Sequence, residues 1–144
     1  MKNIQIKKSL DPNLAQLTID PEQIRRVLIN LFENATDAID EGGIIQITTK
    51  ILEDKKWVRI EFSDNGAGIS SSDREKLFLP HFTTKKRGTG LGLAIVNRII
   101  IDHNGTIKVQ DNYPKGTTFI IDLPYSKTTL KTDKTLPKPL SRIS

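Results

Sequence analysis

The chain has no cysteine and only two histidines among its 144 residues. Without cysteine the sequence excludes disulfides and thiolate metal sites, and two histidines on their own do not make a zinc site. No run of about 18 apolar residues occurs, so no transmembrane helix is predicted. The N-terminus also lacks the charged-then-apolar pattern of a signal peptide.

The net charge of +5 is unevenly distributed. Residues 125–144 carry five basic groups and one acidic group, whereas residues 1–124 hold 17 basic and 16 acidic groups. No aromatic residue is interleaved with the basic ones of residues 125–144 for base stacking, and no nucleic-acid partner is predicted. We expect a single domain over residues 1–124. The composition of residues 125–144 indicates a disordered tail or linker, with a weak tether to an acidic surface as the alternative.

Apolar residues alternate with period two in some segments and recur every three or four residues in others. Asp20 and Pro21 are typical of a helix start, and Gly42-Gly43 is predicted to end that helix. The predicted strands cover 4–7, 15–19, 44–52, 57–64, 106–110 and 117–124, and the predicted helices cover 21–41, 71–77 and 91–103. This order predicts an α+β protein: a two-layer α/β sandwich with a mostly antiparallel sheet and helices packed on one face.

A polar stripe follows the first predicted helix, where Asn30, Glu33, Asn34 and Asp37 recur three or four residues apart. Asn and Asp are unfavourable inside helices because their side chains compete for backbone groups. The stripe is either the solvated side of a surface helix or a row of oxygen ligands facing a cleft. Such oxygens suit a hydrated Mg²⁺.

Two glycine-containing segments follow strands or open helices. In DNGAGI (64–69), an acid at a strand end precedes two glycines, a pattern that also occurs in calcium loops and plain hairpin turns. In GTGLGLAIV (88–96), three glycines precede a helix, and backbone N–H groups at a helix N-terminus favour anions. The basic residues at 85–87 either add charge at that site or belong to a solvated loop.

Taken together and in order, these segments resemble the catalytic ATP-binding domain of sensor histidine kinases, within the superfamily that includes gyrase, Hsp90 and MutL. The FTTK…GTGLGLAIV combination is most similar to kinases of the nitrogen-regulation type. The resemblance spans about residues 1–124 and implies a Bergerat fold with a mobile ATP lid. The matching boxes are RVLINLFENATDAI (26–39), DNGAGI (64–69), KLFLPHFTTK (76–85), GTGLGL (88–93) and GTTF (116–119).

The resemblance implies ATP and Mg²⁺ as cofactors. By it, Asn34 coordinates a Mg²⁺ that bridges the phosphates, Asp64 binds the adenine amino group, and Gly66 and Gly68 shape the base pocket. The further nucleotide-binding positions that it implies are Ile69, Phe82, Thr84, Lys85, Gly88, Thr89, Gly90, Leu91, Gly92 and Thr117.

Asn30, Glu33 and Asp37 are the predicted catalytic positions. The ATPase branches of the superfamily resemble one another in having a glutamate four residues before the metal-binding asparagine, where this chain has Asn30. An amide does not take a proton at neutral pH, whereas an acceptor imidazole already has a free lone pair. Asn30 therefore favours histidine phosphorylation over ATP hydrolysis or serine phosphorylation, and Glu33 is the alternative base.

Neither histidine lies in the H-E-[IL]-[RK]-like context of a phosphoacceptor: His81 falls in KLFLPHFTTK (76–85), which resembles the family's F box, and His103 at a helix C-terminus. We expect a catalytic half, excised from a longer kinase or made by a split gene, that binds Mg-ATP but does not autophosphorylate alone. Its expected partners are the dimerisation and phosphoacceptor domain of the same kinase and, indirectly, a response regulator. We expect the domain to be monomeric and cytoplasmic, whether or not the parent kinase is membrane-anchored.

Two other functions are compatible with the same boxes. One is a nucleotide-sensing module that has lost phosphoryl transfer. The other is an anti-sigma-type serine kinase, which Asn30 and the F box oppose. Label from ATP on histidine, on no acceptor, or only on a serine protein would separate the three.

Overall fold

The computed structural model describes residues 3–14, 17–54, 56–80, 91–125 and 142–143. Its elements are β1 (Gln5–Ser9), β2 (Leu17–Thr18), α1 (Pro21–Ala38), β3 (Ile44–Ile51), β4 (Trp57–Asp64), α2 (Ser71–Arg74), α3 (Gly92–Asp102), β5 (Thr106–Asp111), β6 (Thr117–Pro124) and β7 (Arg142–Ile143). Among the helices in these ranges, none has the length and apolar character needed to cross a membrane.

Five strands form one sheet in the order β1-β3-β4-β6-β5. The β1–β3 pair is parallel, and the other three pairs are antiparallel. The helices α1 and α3 contact each other and lie on one face, where α1 meets β4 and α3 meets β5. The predicted α/β sandwich with a mostly antiparallel sheet is confirmed.

The start of α1 has the predicted cap. The carboxylate of Asp20 accepts hydrogen bonds from the backbone N–H groups of Glu22 and Gln23, at 3.0 and 3.3 Å. Pro21 occupies the first turn, where its missing N–H costs nothing. The buried residues then recur at helical spacing and face the sheet: Ile24, Val27, Leu31 and Ala35.

The end of α1 differs from the prediction. The helix stops at Ala38, and the capping residue Ile39 is already extended at φ −100° and ψ 125°. Gly42 has φ +69° and lies in the turn that leads into β3. The prediction that Gly42-Gly43 ends the helix was therefore wrong, because the buried side chain of Ile39 leaves the helix to join the core.

The core lies between α1, α3 and the inner face of the sheet. Phe62 on β4 is 1% exposed, and its ring meets that of Phe32 on α1 edge-to-face with centroids 4.9 Å apart. The opposite face of the sheet is polar: Arg59 on β4 donates two hydrogen bonds, at 2.8 and 2.9 Å, to Asp122 of β6. One face of the sheet is therefore packed and the other solvated, as is common in antiparallel sheets.

The C-terminus of α3 is tied to the N-terminus of α1 through His103. Its Nδ1 lies 2.8 Å from the carbonyl oxygen of Ile99, and its Nε2 accepts a hydrogen bond of 3.1 Å from the N–H of Asp20. This pattern places the ring proton on Nδ1. His103 thus caps α3, and both of its ring nitrogens are occupied.

The folded unit extends at least to Tyr125, which is 7% exposed and donates its N–H to the Lys56 carbonyl oxygen at 2.8 Å. Near the C-terminus, β7 pairs antiparallel with β2, joining Ile143 to Leu17 and Arg142 to Thr18. The composition of the predicted tail gave no indication of this strand. For residues 126–141 the predicted disorder stays a prediction, since they lie outside the described ranges.

Candidate functional site

The main candidate for a functional side chain is Asp64, the last residue of β4, which is only 4% exposed. Its Oδ1 accepts a 2.8 Å hydrogen bond from the N–H of Gly66, and the N–H of Thr117 also donates to the carboxyl group. Burial raises the pKa of the Asp64 carboxyl, and these two hydrogen bonds only partly oppose the shift. Among the described residues, the ion pairs do not include Asp64, so no cation of that part of the chain neutralises its charge.

The turn after Asp64 is built so that neighbouring backbone can come close. A Cβ on Gly66 would lie 2.5 Å from the carbonyl oxygen of Ala38, which ends α1 and accepts a 2.9 Å hydrogen bond from Ala67. A Cβ on Gly116 would lie 2.0 Å from the carbonyl oxygen of Asp64 itself. Any side chain at either glycine would therefore push the turn away from α1 or from the β5–β6 hairpin.

Asn65 fastens the same turn to the start of β3. Its Oδ1 accepts a 2.8 Å hydrogen bond from the N–H of Ile44, and its own N–H donates to the Ile44 carbonyl oxygen at 3.3 Å. Gly68 follows at φ +82° and faces Gly116 across the turn. The segment is thus held by α1, by β3 and by the loop between β5 and β6.

That last loop contributes a residue that sequence reasoning missed. The side-chain amide of Asn112 donates a 2.8 Å hydrogen bond to the backbone carbonyl of Asp64. Its backbone N–H donates to the Gly116 carbonyl oxygen at 3.0 Å, closing the loop. The only available signal was the turn-like sequence DNYPKG, which indicates a tight loop but not its partner 48 residues earlier in the chain.

The structure divides the polar stripe of α1 into two parts. Asn30 and Asn34 are half-buried, and the Oδ1 of Asn30 lies 3.2 Å from where a Cβ on Gly92 would be. Asn30 therefore faces the first turn of α3. The N-cap residue Leu91 makes no side-chain capping hydrogen bond to that turn.

Glu33 and Asp37 are exposed and line a shallow groove of about 550 Å³ on another side of α1. The groove is completed by Ile29, Phe32 and Thr36. Asn30 is not among its lining residues. Of the three predicted catalytic positions, Glu33 and Asp37 therefore share this groove, whereas Asn30 lies beside Gly92.

Several predicted site residues fall near Asp64 or near the start of α3. Thr117 is buried and lies directly opposite Asp64 in the β4–β6 register, while Ile69 packs against the core. Leu91 and Gly92 stand at the start of α3. The remaining predicted residues lie outside the described ranges, namely Phe82, Thr84, Lys85, Gly88, Thr89 and Gly90.

The donor set limits what kind of metal could bind. Within the described ranges, no group of three or more histidine, cysteine, aspartate or glutamate side chains is arranged to hold an ion. A metal at Asn34 would therefore take most of its ligands from a bound molecule and from water. That requirement fits Mg²⁺, which keeps waters and uses few protein oxygens together with phosphates.

Comparisons with known proteins agree with this geometry. Residues 19–127 match the family described as "Histidine kinase-, DNA gyrase B-, and HSP90-like ATPase". Sensor histidine kinase ZraS of Escherichia coli K12 is 39% identical over 127 residues, which is 88% of this chain but 27% of ZraS. The chain therefore spans about a quarter of the length of that relative.

Solved structures give the same result for the fold. The nucleotide-free catalytic domain of histidine kinase ThkA is 38% identical with a TM-score of 0.76, covering 85% of this chain and 81% of that one. ThkA in complex with the response regulator protein TrrA is 35% identical, with a TM-score of 0.72 and coverages of 86% and 35%. Full-length ShkA in complex with AMPPNP is 26% identical, with a TM-score of 0.75 and coverages of 89% and 27%.

The match covers most of the chain, includes α1 and the Asp64 turn, and extends over most of an isolated catalytic domain. The chain therefore belongs to the histidine kinase-, DNA gyrase B- and HSP90-like ATPase family, as a catalytic domain of the sensor histidine kinase type.

Proposed function

We propose that this domain binds Mg-ATP and transfers the γ-phosphoryl group to a histidine on a separate dimerisation and phosphoacceptor domain. The observation that carries the proposal is the buried Asp64 carboxylate, with backbone donors and no cation partner among the described residues. A buried charge of this kind costs stability, so its retention is best explained by a ligand that donates to it.

Adenine meets that requirement through its exocyclic amine. Gly66 and Thr117 each donate a backbone hydrogen bond to the carboxylate of Asp64, which leaves acceptor capacity for a donor from the ligand. The absence of a side chain lets Gly66 lie against the end of α1 and Gly68 lie against Gly116, which holds the turn beside the carboxylate. Adenine therefore lies against Asp64, with Ile69 and Thr117 as neighbouring residues of the pocket.

The phosphates extend from there toward Asn34 and the start of α3. Asn34 is a half-buried amide whose oxygen would ligate Mg²⁺. When bound, the ion neutralises charge on the phosphate oxygens. The N-cap side chain of α3, that of Leu91, gives no capping hydrogen bond, and backbone N–H groups in the first turn of a helix are suited to an anion. Phe82, Thr84, Lys85, Gly88, Thr89, Gly90 and Leu91 are proposed to complete this end of the site.

The proton chemistry favours histidine as the acceptor. Asn30 stands beside Gly92, at the phosphate end of the site, and an amide does not remove a proton from water or a serine hydroxyl. Glu33 and Asp37, which are able to act as bases, line the groove apart from Asn30. A neutral imidazole needs no base to attack phosphorus, so the domain contributes mainly positioning and electrostatic stabilisation.

The phosphoacceptor must come from outside the described part of this chain. Both ring nitrogens of His103 are engaged in hydrogen bonds, which removes it as an acceptor. We propose that a partner domain of the same kinase presents the acceptor histidine. We also propose a response regulator as a further partner, because ThkA has been solved with a response regulator protein.

The test supplies a purified dimerisation and phosphoacceptor domain, a helical hairpin that carries the acceptor histidine, together with ATP labelled at the γ position. We expect acid-labile, base-stable label on the hairpin only when this domain and Mg²⁺ are both present. Replacement of the acceptor histidine by glutamine is the control. Release of free phosphate at the same rate with and without the hairpin would contradict the proposal and indicate an ATPase.

A further inference from the structure

The loop between β5 and β6 contacts the main chain of Asp64. The amide of Asn112 donates a 2.8 Å hydrogen bond to the backbone carbonyl of Asp64, while its backbone N–H donates to Gly116. Gly116 has φ +112° and passes so close to that carbonyl that a Cβ would lie 2.0 Å from it. The Asp64 main chain is thus in contact with both ends of one loop.

The loop is itself anchored. Asp111, the residue before Asn112, forms an ion pair with Arg74 at the end of α2. Asp111 also lies opposite Thr117 in the β5–β6 register, and Thr117 lies opposite Asp64 in the β4–β6 register. Asn112 is half-buried, so water competes only partly for its hydrogen bond. The contact to Asp64 therefore comes from a fixed position.

We propose that Asn112 is a positioning residue for purine selection, because its amide fixes the main chain of Asp64 and so keeps the carboxylate aimed at an exocyclic amine. Asn112 does not touch the base. It acts through Asp64, whose carboxylate is oriented by Gly66 and Thr117 only while the end of β4 stays in place. The inference rests on the proposed adenine contact and explains why the site would prefer a purine that carries the 6-amino group.

The test compares two ligands on each variant. One is ADP, and the other is its analogue with hydrogen in place of the 6-amino group; both dissociation constants are measured by calorimetry with Mg²⁺. The variants are Asn112→Ala, which removes the donor, and Asn112→Asp, which places a carboxylate against the carbonyl. The control is Gln110→Ala, which removes an exposed amide from β5 two residues away.

In the unmodified protein we expect the analogue to bind roughly ten- to hundredfold more weakly than ADP, the range for a hydrogen bond to a charged group. In Asn112→Ala the ratio of the analogue's dissociation constant to that of ADP falls by roughly three- to tenfold, while the dissociation constant of the analogue changes little. In Asn112→Asp the ratio falls further. Gln110→Ala keeps the original ratio. Unchanged binding of the analogue also shows that each variant is folded.

Two results overturn the inference while leaving the adenine contact intact. One is a ratio that stays unchanged in Asn112→Ala, and the other is an equal loss of affinity for both ligands, which a merely structural role would give. If the unmodified protein itself does not prefer ADP over the analogue, the adenine contact at Asp64 is wrong and the inference falls with it.

Discussion

The ionised carboxylate of Asp64 destabilises the folded state because it is buried. Its pKa is raised by burial above the ordinary value of 3.8, so the folded state binds a proton more tightly than the unfolded state does. As the pH rises from about 3.8 through the folded-state pKa, the ionisation of Asp64 therefore lowers the free energy of unfolding. Above that window the cost is constant.

We predict that this cost is seen by comparing the unmodified protein with Asp64→Asn. The asparagine does not titrate, so the stability difference between the two proteins should shift in favour of the unmodified one as the pH falls through the window. Urea unfolding at a series of pH values measures the difference. A difference that stays constant with pH would show that the buried carboxyl has an ordinary pKa.

Gly116 is the second residue whose identity is dictated by a close approach. We predict that Gly116→Ala lowers the free energy of unfolding by about 2 kcal/mol or more, because it combines positive-φ strain with a collision at Asp64. Gly42→Ala is a matched control, since Gly42 has φ +69° but nothing within 4 Å of a Cβ. The control should lose only about 1 kcal/mol.

Calorimetry on the same two variants gives a second readout. Gly116→Ala should also weaken ADP binding, because displacement of the Asp64 main chain moves the carboxylate. Gly42→Ala should bind ADP as the unmodified protein does. Equal stability losses in the two variants would mean that the loop around Gly116 adjusts freely to a side chain.

For individual residues, the sequence predicts which residue types the site needs but not which hydrogen bonds fix their positions. Asp64 and its glycines were recognisable because an acid at a strand end followed by G-x-G is a local pattern. Asn112 was not, because its partner is distant in the chain and a loop asparagine usually bonds to its own neighbours.

Among the elements, α1 shows both the strength and the limit of periodicity. Its start was predictable because capping by Asp20 is a local hydrogen-bond pattern. Its end was not, because the burial of Ile39 against the sheet decides where the helix stops. Likewise, the stripe could be placed on one side of the helix, but only the position of α3 shows that Asn30 lies beside Gly92 while Glu33 and Asp37 line a groove.

His103 links the C-terminus of α3 to the N-terminus of α1, and mutation tests how much this link stabilises the fold. We predict that His103→Ala lowers the free energy of unfolding by about 1–3 kcal/mol, because the Asp20 N–H and the Ile99 carbonyl lose their partner. Arg98→Ala, which removes an exposed i,i+4 ion pair on α3, should cost less than about 0.5 kcal/mol.

Urea unfolding measures both effects. ADP affinity should stay unchanged in His103→Ala, since the contact lies at the end of α3 away from Gly92. If His103→Ala costs no more than Arg98→Ala, the imidazole does not join the two helices in solution.

For the whole molecule, the question is where the folded unit ends. Tyr125 belongs to the core, whereas β7 joins β2 through two residue pairs in the part of the chain that the structure describes. We predict that deletion of residues 126–144 lowers the free energy of unfolding by no more than about 1–2 kcal/mol. Tyr125→Ala in the full chain should cost about 3 kcal/mol or more, as expected for a buried aromatic residue.

Thermal or urea unfolding of these two variants measures how much residues 126–144 and the Tyr125 side chain each stabilise the fold. If the deletion costs as much as Tyr125→Ala, the C-terminal residues are an integral part of the fold and not an extension of it. The sequence could not anticipate β7, because a two-residue strand carries no periodicity and depends entirely on the edge it meets.

The architecture as a whole was predictable, since five boxes in a fixed order resemble one family and the strands between them alternate clearly. The assignment of a buried acid to adenine is the central claim. Calorimetric titration of the unmodified protein and of Asp64→Asn with an unhydrolysable ATP analogue and Mg²⁺ tests it most directly. We predict measurable binding to the unmodified protein and at least tenfold weaker binding to the folded variant, whereas equal affinities would contradict the account.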